Sequence, residues 1–330
     1  MGLLKVGTPV PRCPHPVPIP RTDRSEVPLH HYVPQFLLRG FADKDNQLRA
    51  TLRSNLQTSH LTAVRKAAAE RDFYTIPTEE LTPESRRGHN PESVEKSLAD
   101  IESRASSDIR LIVAGGSPYT TALRYRMATL VAMQLTRSPR FRRDYVGVAN
   151  LSARALLERK LTDDRLRQHL SDHGRPTSPE DVARFRKEVF EGEYKLVPST
   201  THLVQETLKF GIETLSPLMF SRTPRVLRFS EPLLLTSDVG AAPWSPNDPI
   251  PWSNGIAKAH TIFLPLNRFT ALALTRGGSP SDRIVQSIWA DHSNFALANA
   301  AERWIYQHPD DSSLDRIDLP QLQHDRWGRR

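Results

Sequence analysis

The sequence contains a single cysteine, Cys13, among its 330 residues, which excludes a disulfide framework and a zinc site built from cysteines. No apolar run approaches the roughly 18 residues that a membrane-spanning helix needs. The first 20 residues carry repeated prolines where a secretion signal would have an apolar core. We therefore expect a bacterial protein of the cytoplasm that has no membrane partner.

Short motifs that identify a reaction by themselves are also missing. The sequence has no P-loop, no GxGxxG or GxSxG turn, no HExxH helix and no HNH pattern. Any catalytic site must therefore be assembled from residues that lie far apart in the chain, and whether the protein is an enzyme stays open at this point.

What the sequence has in excess is positive charge. Lysine and arginine number 45 against 37 acidic residues, a formal net charge of +8. Such an excess is typical of proteins that bind nucleic acid or another polyanion, but it also occurs on basic surfaces that only face solvent. Nucleic acid is thus one candidate partner, and the oligomeric state is not indicated.

The composition, 38% hydrophobic and 25% charged, predicts a globular chain, and the length allows one large domain or two modest ones. Residues 1–27 are rich in proline and predict a disordered arm. Residues 28–308 predict one α+β domain, and residues 309–330 predict a polar tail.

Two adjacent histidines, His30 and His31, open the patterned part of the chain. Pro34 follows them and favours extended backbone at Val33, and the apolar segment 36–41 comes next. A pair of imidazoles is therefore expected beside a buried hydrophobic anchor.

The central helices are the clearest elements of the pattern. Asn90 and Pro91 predict the start of a helix with an apolar stripe from Val94 to Ile112, and Glu102 flanks that stripe. A second helix, 120–138, places Gln134 and Arg137 on its apolar face. Buried polar groups need partners, so these two side chains belong either to a structural hydrogen-bond network or to a ligand site.

The remaining pattern predicts an α+β fold that is predominantly helical, with a small antiparallel sheet in the C-terminal third packed against helices. Further elements are predicted as follows: a strand pair within 47–58; an extended segment at 72–77; helices at 60–71, 140–160, 163–173, 179–191, 199–221 and 281–307; strands at 225–229, 233–236, 260–264 and 270–275; and a long proline–tryptophan loop at 240–255.

Several stretches together resemble the bacterial domain-of-unknown-function family 4238. They are HHYVPQFLL at 30–38 with Phe41, ERDFY at 70–74, VEKSLADIE at 94–102, QLTRSPR at 134–140, LTSD at 235–238, FLPL at 263–266 and the segment 294–306. The family pattern continues after its T-S-D with Asn-Pro, whereas Val239 and Gly240 stand here.

The resemblance implies no reaction, cofactor or substrate, but it indicates which polar groups belong to a shared framework. These are His30, His31, Glu102, Gln134, Arg137, Asp238 and Asn294. The first six are our candidate catalytic residues.

One hypothesis is a metal-dependent hydrolase or nuclease that acts on a phosphodiester. In it His31 acts as base or metal ligand, Glu102 and Asp238 hold a divalent ion, and Arg137 binds phosphate. A second hypothesis is a module that binds nucleic acid or nucleotides without chemistry. A third is a structural or partner-binding protein whose polar groups only join helices to the sheet.

Overall fold

The computed structural model describes residues 29–81, Arg86 and residues 93–116, 120–191, 198–246 and 255–321. The predicted arm at 1–27, the predicted helix cap at Asn90 and Pro91 and the end of the predicted tail, 322–330, lie outside the described residues. All structural statements below concern the described part of the chain.

Ten α-helices are described, in addition to short 3-10 segments and one π-helical segment, Phe210–Leu215. They are α1 (Gln35–Leu38), α2 (Ser93–Val113), α3 (Thr121–Thr136), α4 (Pro139–Lys160), α5 (Asp163–Asp172), α6 (Pro179–Glu191), α7 (Thr200–Lys209), α8 (Ser216–Phe220), α9 (Gly255–Lys258) and α10 (Ile288–Ala300).

Eleven strands are described, and they form one pair and two sheets. They are β1 (Leu29–His31), β2 (Gln47–Leu52), β3 (Asn55–Ala63), β4 (Ala69–Arg71), β5 (Thr223–Arg228), β6 (Thr236–Ser237), β7 (Ala242–Trp244), β8 (Thr261–Asn267), β9 (Thr270–Thr275), β10 (Ser281–Ile284) and β11 (Trp304–Gln307). The fold is α+β with helices predominating, as the sequence predicts.

The C-terminal five-stranded sheet has the order β10-β5-β9-β8-β7. Three predicted strands, β5, β8 and β9, pair antiparallel here, and β7 from the predicted loop adds a fourth antiparallel strand. Strand β10 runs parallel to β5, so the sheet is mixed. Every residue of β9 is buried, which explains why its sequence is a short continuous apolar run without alternation.

The four-stranded sheet has the order β3-β2-β11-β6 and joins both ends of the described chain. Its cross-strand register places His60, Ala50, Tyr306 and Thr236 in one row across the four strands. Side chains in such a row share one face of the sheet. The candidate site lies on this face.

Helix α3 crosses the core, and residues 130–138 at its C-terminal end are buried without exception. A helix that is buried all round must satisfy every polar side chain inside the protein. Gln134 and Arg137 lie in this part of the helix, so their hydrogen bonds decide what packs against it.

The helix predicted at 60–71 is wrong. This stretch completes β3, makes one 3-10 turn (Val64–Lys66) and continues into β4. Ala68 has φ +48°, which an α-helix does not allow, and β4 pairs with β1. The apolar residues of this stretch have a spacing that also occurs in helices. The pairing of β3 with β2 and of β4 with β1 nevertheless makes the stretch extended.

The single helix predicted at 281–307 is also wrong. The segment forms β10, then α10 and finally β11. The backbone leaves α10 at Ala301 because Asp238 binds the amides that follow. The predicted extended segment 72–77 begins instead with a turn at Asp72, where φ is +56°.

Other predictions need smaller corrections. Of the predicted strand 233–236 only Thr236 lies in a strand, β6, which belongs to the four-stranded sheet. The predicted loop 240–255 contains β7 and the start of α9 in its described part. The predicted strand pair within 47–58 is confirmed, as are the helices predicted between 94 and 221, although a π-helical segment interrupts the last one.

Gly240 has φ +68°, and a Cβ atom there would lie 2.8 Å from Cδ and Nε2 of Gln134. We expect Gly240→Ala to lower the free energy of unfolding by about 2–4 kcal/mol, from left-handed backbone strain plus overpacking. Urea denaturation measures this loss.

Gly174 provides the matched control, because it has φ +63° and open space around a Cβ position. Gly174→Ala should show only the backbone cost, about 1 kcal/mol. Equal losses at the two positions would contradict the close contact with Gln134.

Candidate functional site

Arg137 lies at the centre of a buried network, which we name the Arg137 network: Arg137, Glu102, Tyr74 and the backbone of His31. Its Nε donates to the Tyr74 hydroxyl at 2.9 Å, and its Nη2 donates to the His31 carbonyl at 2.8 Å. Its Nη1 lies 2.7 Å from a carboxylate oxygen of Glu102, and the Arg137 side chain is 3% exposed. Helices α2 and α3 are thereby tied to β1.

Burial alone would lower the pKa of Arg137, but Tyr74 and Glu102 reverse this effect and raise it above its ordinary value. The guanidinium therefore stays charged, and three of its N–H groups are already bound to protein. A buried charge with this many partners is typical of a structural element.

His30 and His31 lie on opposite faces of β1, as neighbours in a strand must. His30 is buried, its Nδ1 accepts the Tyr74 amide at 2.9 Å, and its ring stacks on the Tyr74 ring. The His31 ring is partly buried, and its Nε2 has no hydrogen-bond partner. Burial lowers the pKa of His31, and the nearby charge of Arg137 adds to this, so its neutral form is favoured.

Gln134 extends the network toward Asp238. Its Nε2 donates to the carbonyls of Tyr32, at 2.9 Å, and Val239, at 3.1 Å. Gly240 leaves room for the glutamine side chain, because a Cβ atom there would lie 2.8 Å from it. The residue after Asp238 is thus bound to α3.

Two residues of this region were missed from the sequence. Glu95, seven residues before Glu102 on α2, has a buried oxygen without a partner, and burial raises its pKa. Arg142 lies 3.4 Å over the Phe73 ring, and burial lowers its pKa to about 10. The spacing of seven between two glutamates is the one sequence signal that could have indicated Glu95.

Asp238 is buried, and its carboxylate accepts three backbone amides. The amides are those of Glu302 at 2.9 Å, Arg303 at 2.7 Å and Trp304 at 2.9 Å. Burial raises the pKa of Asp238 to about 6 against the opposing effect of these amides, and the charge of Glu302 adds to the rise. The carboxylate thus shapes the turn into β11 and titrates near neutral pH.

Asn294, on α10, also binds backbone groups of another segment, as Asp238 does. Its Oδ1 accepts the Leu235 amide at 3.0 Å, and its Nδ2 donates to the Leu233 carbonyl at 2.7 Å. It fixes the chain that leads into β6 and therefore helps to position Asp238.

Asp238 lines a pocket of about 430 Å³, which we name the Asp238 pocket. Its buried floor includes Tyr32, Ala50 and Tyr306, and its exposed rim includes His60, Lys66, Glu70 and Arg303. Ala67, Ala68, Ala69, Thr62, Pro139, Glu302 and Trp304 complete the wall. The volume lies within the range of small-molecule sites.

The sheet register explains how this pocket forms. His60 and Tyr306 flank Ala50 in the row across β3, β2 and β11, and the small alanine leaves space between two large side chains. Trp304 lies two residues before Tyr306 and so shares its face. No sequence pattern indicated these residues, because β2 and β11 are far apart in the chain.

The candidate residues therefore fall into two groups. Five of them meet in or beside the Arg137 network: His30, His31, Glu102, Gln134 and Arg137. Asp238 lies in the pocket. Gln134 connects the two groups, because it binds the carbonyls of Tyr32 and Val239. Whether any of them is catalytic stays a prediction.

The oxygens of Glu102 and Asp238 are engaged by Arg137 and by backbone amides, respectively. Among the described residues, no group of three or more His, Cys, Asp or Glu is placed to hold a metal ion. The metal-binding roles suggested for Glu102 and Asp238 have no support from this geometry. In the same part of the chain, no helix is long and apolar enough to cross a membrane.

We expect Glu102→Gln to lower the free energy of unfolding by roughly 1–3 kcal/mol, because Arg137 is left buried without its carboxylate partner. Asp100 on the same helix pairs with Arg104, but both side chains are largely exposed. Asp100→Asn should leave the urea midpoint unchanged. Equal effects of the two substitutions would contradict a buried ion pair at Arg137.

We expect Glu302→Gln to bring the pKa of Asp238 below about 6, since it removes a nearby negative charge and keeps the amide that binds Oδ1. A carbon-13 NMR titration of the Asp238 carboxyl group measures this directly. Glu70→Gln, at the rim, is the control and should have a smaller effect. An Asp238 midpoint near 4 in the unmodified protein would show that burial does not govern this group.

Comparison with known proteins agrees with the motifs. A family model described as "Protein of unknown function (DUF4238)" matches residues 29–311. No curated protein and no solved structure matches the chain. The matched region is well over half of the sequence and includes both the Arg137 network and the Asp238 pocket. The chain therefore belongs to the DUF4238 family of proteins of unknown function.

Proposed function

We propose that the protein is a hydrolase that acts on a phosphodiester bound in the Asp238 pocket. The observation that supports this is the placement of a carboxylate with a pKa of about 6 in a pocket whose rim carries Lys66 and Arg303. A group that titrates near neutral pH is suited to proton transfer, and two cations are suited to phosphate oxygens.

In this proposal Lys66 and Arg303 bind the phosphate oxygens and stabilise the charge that develops on them. Ionised Asp238 takes a proton from the water that attacks phosphorus, and the bond from phosphorus to the leaving oxygen breaks. The Tyr306 oxygen accepts the Ala68 amide, which leaves its hydroxyl proton for the leaving oxygen. Burial raises the pKa of Tyr306, so the hydroxyl is protonated at neutral pH.

The Arg137 network has a positioning role in this proposal. Arg137 binds the backbone of β1, and Gln134 binds the Tyr32 carbonyl, so together they fix the pocket wall that Tyr32 forms. We assign no metal ion to the pocket, and a cytoplasmic location in a bacterium stays a prediction from composition.

A second candidate is binding of a nucleotide or nucleic acid without chemistry. The observation that favours it is that Asp238 accepts three backbone amides. This structural role is enough to explain the buried carboxylate without a role in catalysis. The cations and aromatic rings of the pocket would then bind a ligand without transforming it.

Hydrolysis of bis(p-nitrophenyl) phosphate, single-stranded DNA and RNA, each with and without Mg²⁺ or Mn²⁺, tests the proposal. We expect activity to rise with pH through about 6, because Asp238 must be ionised to act as a base. Lys66→Ala should lower kcat/KM at least tenfold, and Lys160→Ala, an exposed lysine on α4, should leave it unchanged.

Ala50→Leu fills the pocket floor and should abolish turnover without removing a polar group. Asp238→Asn should remove the limb near pH 6, with folding checked by circular dichroism. His31→Ala tests the earlier candidate base. Activity that is absent, or that survives both Lys66→Ala and Ala50→Leu, would rule out hydrolysis in this pocket.

A further inference from the structure

We infer that the Asp238 pocket takes a single nucleotide unit, whose base stacks on the aromatic pair His60 and Trp304 and whose phosphate meets Lys66 and Arg303. The inference rests on the proposed function, because it names the substrate class for the same pocket.

The aromatic pair is the first observation. The rings of His60 and Trp304 have centroids 4.8 Å apart at an interplanar angle of 81°, and both residues line the pocket. They come from β3 and β11, so the pair exists only because β2 lies between these strands. Aromatic rings at a pocket wall offer flat surfaces to a base of any sequence.

The position of the cations is the second observation. The Arg303 guanidinium lies 5.3 Å from the centre of the Trp304 ring, and the exposed Lys66 lines the same pocket. A base and its own phosphate are joined by one sugar, so a ligand that contacts the ring also reaches a cation. A site for phosphate alone would not need the aromatic pair.

The acidic groups of the pocket fit this ligand as well. Glu302 forms an ion pair with Arg143 at 2.6 Å. Glu70 is exposed at the rim, where a carboxylate can accept hydrogen bonds from sugar hydroxyls or exocyclic amines.

Size restricts the ligand further. A pocket of about 430 Å³ has room for one nucleotide and not for a duplex. Bases inside a duplex are stacked on each other and cannot reach a wall of this kind without being extruded. The inference therefore favours a nucleotide unit of a short or unpaired strand, which carries the phosphodiester that the proposed hydrolase would cleave.

Isothermal titration calorimetry on the full chain tests the inference with two probes, adenosine 5′-monophosphate and ribose 5-phosphate. We expect the nucleotide to bind about tenfold or more tightly, as base–aromatic stacking provides. His60→Ala and Trp304→Ala should each reduce this preference, whereas Lys66→Ala should weaken both probes equally.

Tyr125→Ala removes an exposed aromatic ring outside the pocket and serves as the matched control. Because His60 is exposed, His60→Ala keeps the test decisive even where Trp304→Ala fails to fold. Equal binding of the two probes, or a preference unchanged in His60→Ala, would overturn the inference.

The outcomes separate the two proposals. A base-dependent preference without hydrolysis of any substrate supports the nucleotide site and rejects the enzyme. Hydrolysis of bis(p-nitrophenyl) phosphate with equal binding of the two probes supports the enzyme and rejects the nucleotide site.

Discussion

The pocket depends on the hydrogen bonds that the Asp238 carboxylate accepts from three consecutive backbone amides. They end the path of α10 and start β11, so that Trp304 and Tyr306 face Ala50 across the sheet. Without this turn the chain after α10 would not be directed into β11, and the pocket would lose one wall. The same burial that makes the carboxylate useful to the fold also moves its pKa toward neutrality.

The Arg137 network and Gln134 serve a related purpose from the opposite side. Helix α3 is enclosed by the core at residues 130–138, so its polar side chains can bind only other parts of the protein. They bind the carbonyls of His31, Tyr32 and Val239. Tyr32 itself and Asp238, the neighbour of Val239, line the pocket. The same hydrogen bonds thus satisfy the polar side chains of a buried helix and fix one wall of the pocket.

The sequence revealed the parts of this arrangement that depend on local pattern. The helices from 93 to 191 have apolar stripes of helical period, and Gln134 and Arg137 were recognisable because they interrupt such a stripe. The segments 60–71 and 281–307 were misassigned because strands and turns there happen to place apolar residues three or four apart. His60, Lys66 and Trp304 could not be predicted as neighbours, since their proximity depends on which strands pair.

The central position of β11 also has a consequence during synthesis. Strand β2 borders β11 in the middle of the four-stranded sheet, although some 250 residues separate them. At ordinary translation speeds, β2 and β3 leave the ribosome on the order of ten seconds or more before their partner exists. During that interval the hairpin has an open edge that other chains can join, which makes the nascent chain prone to aggregation.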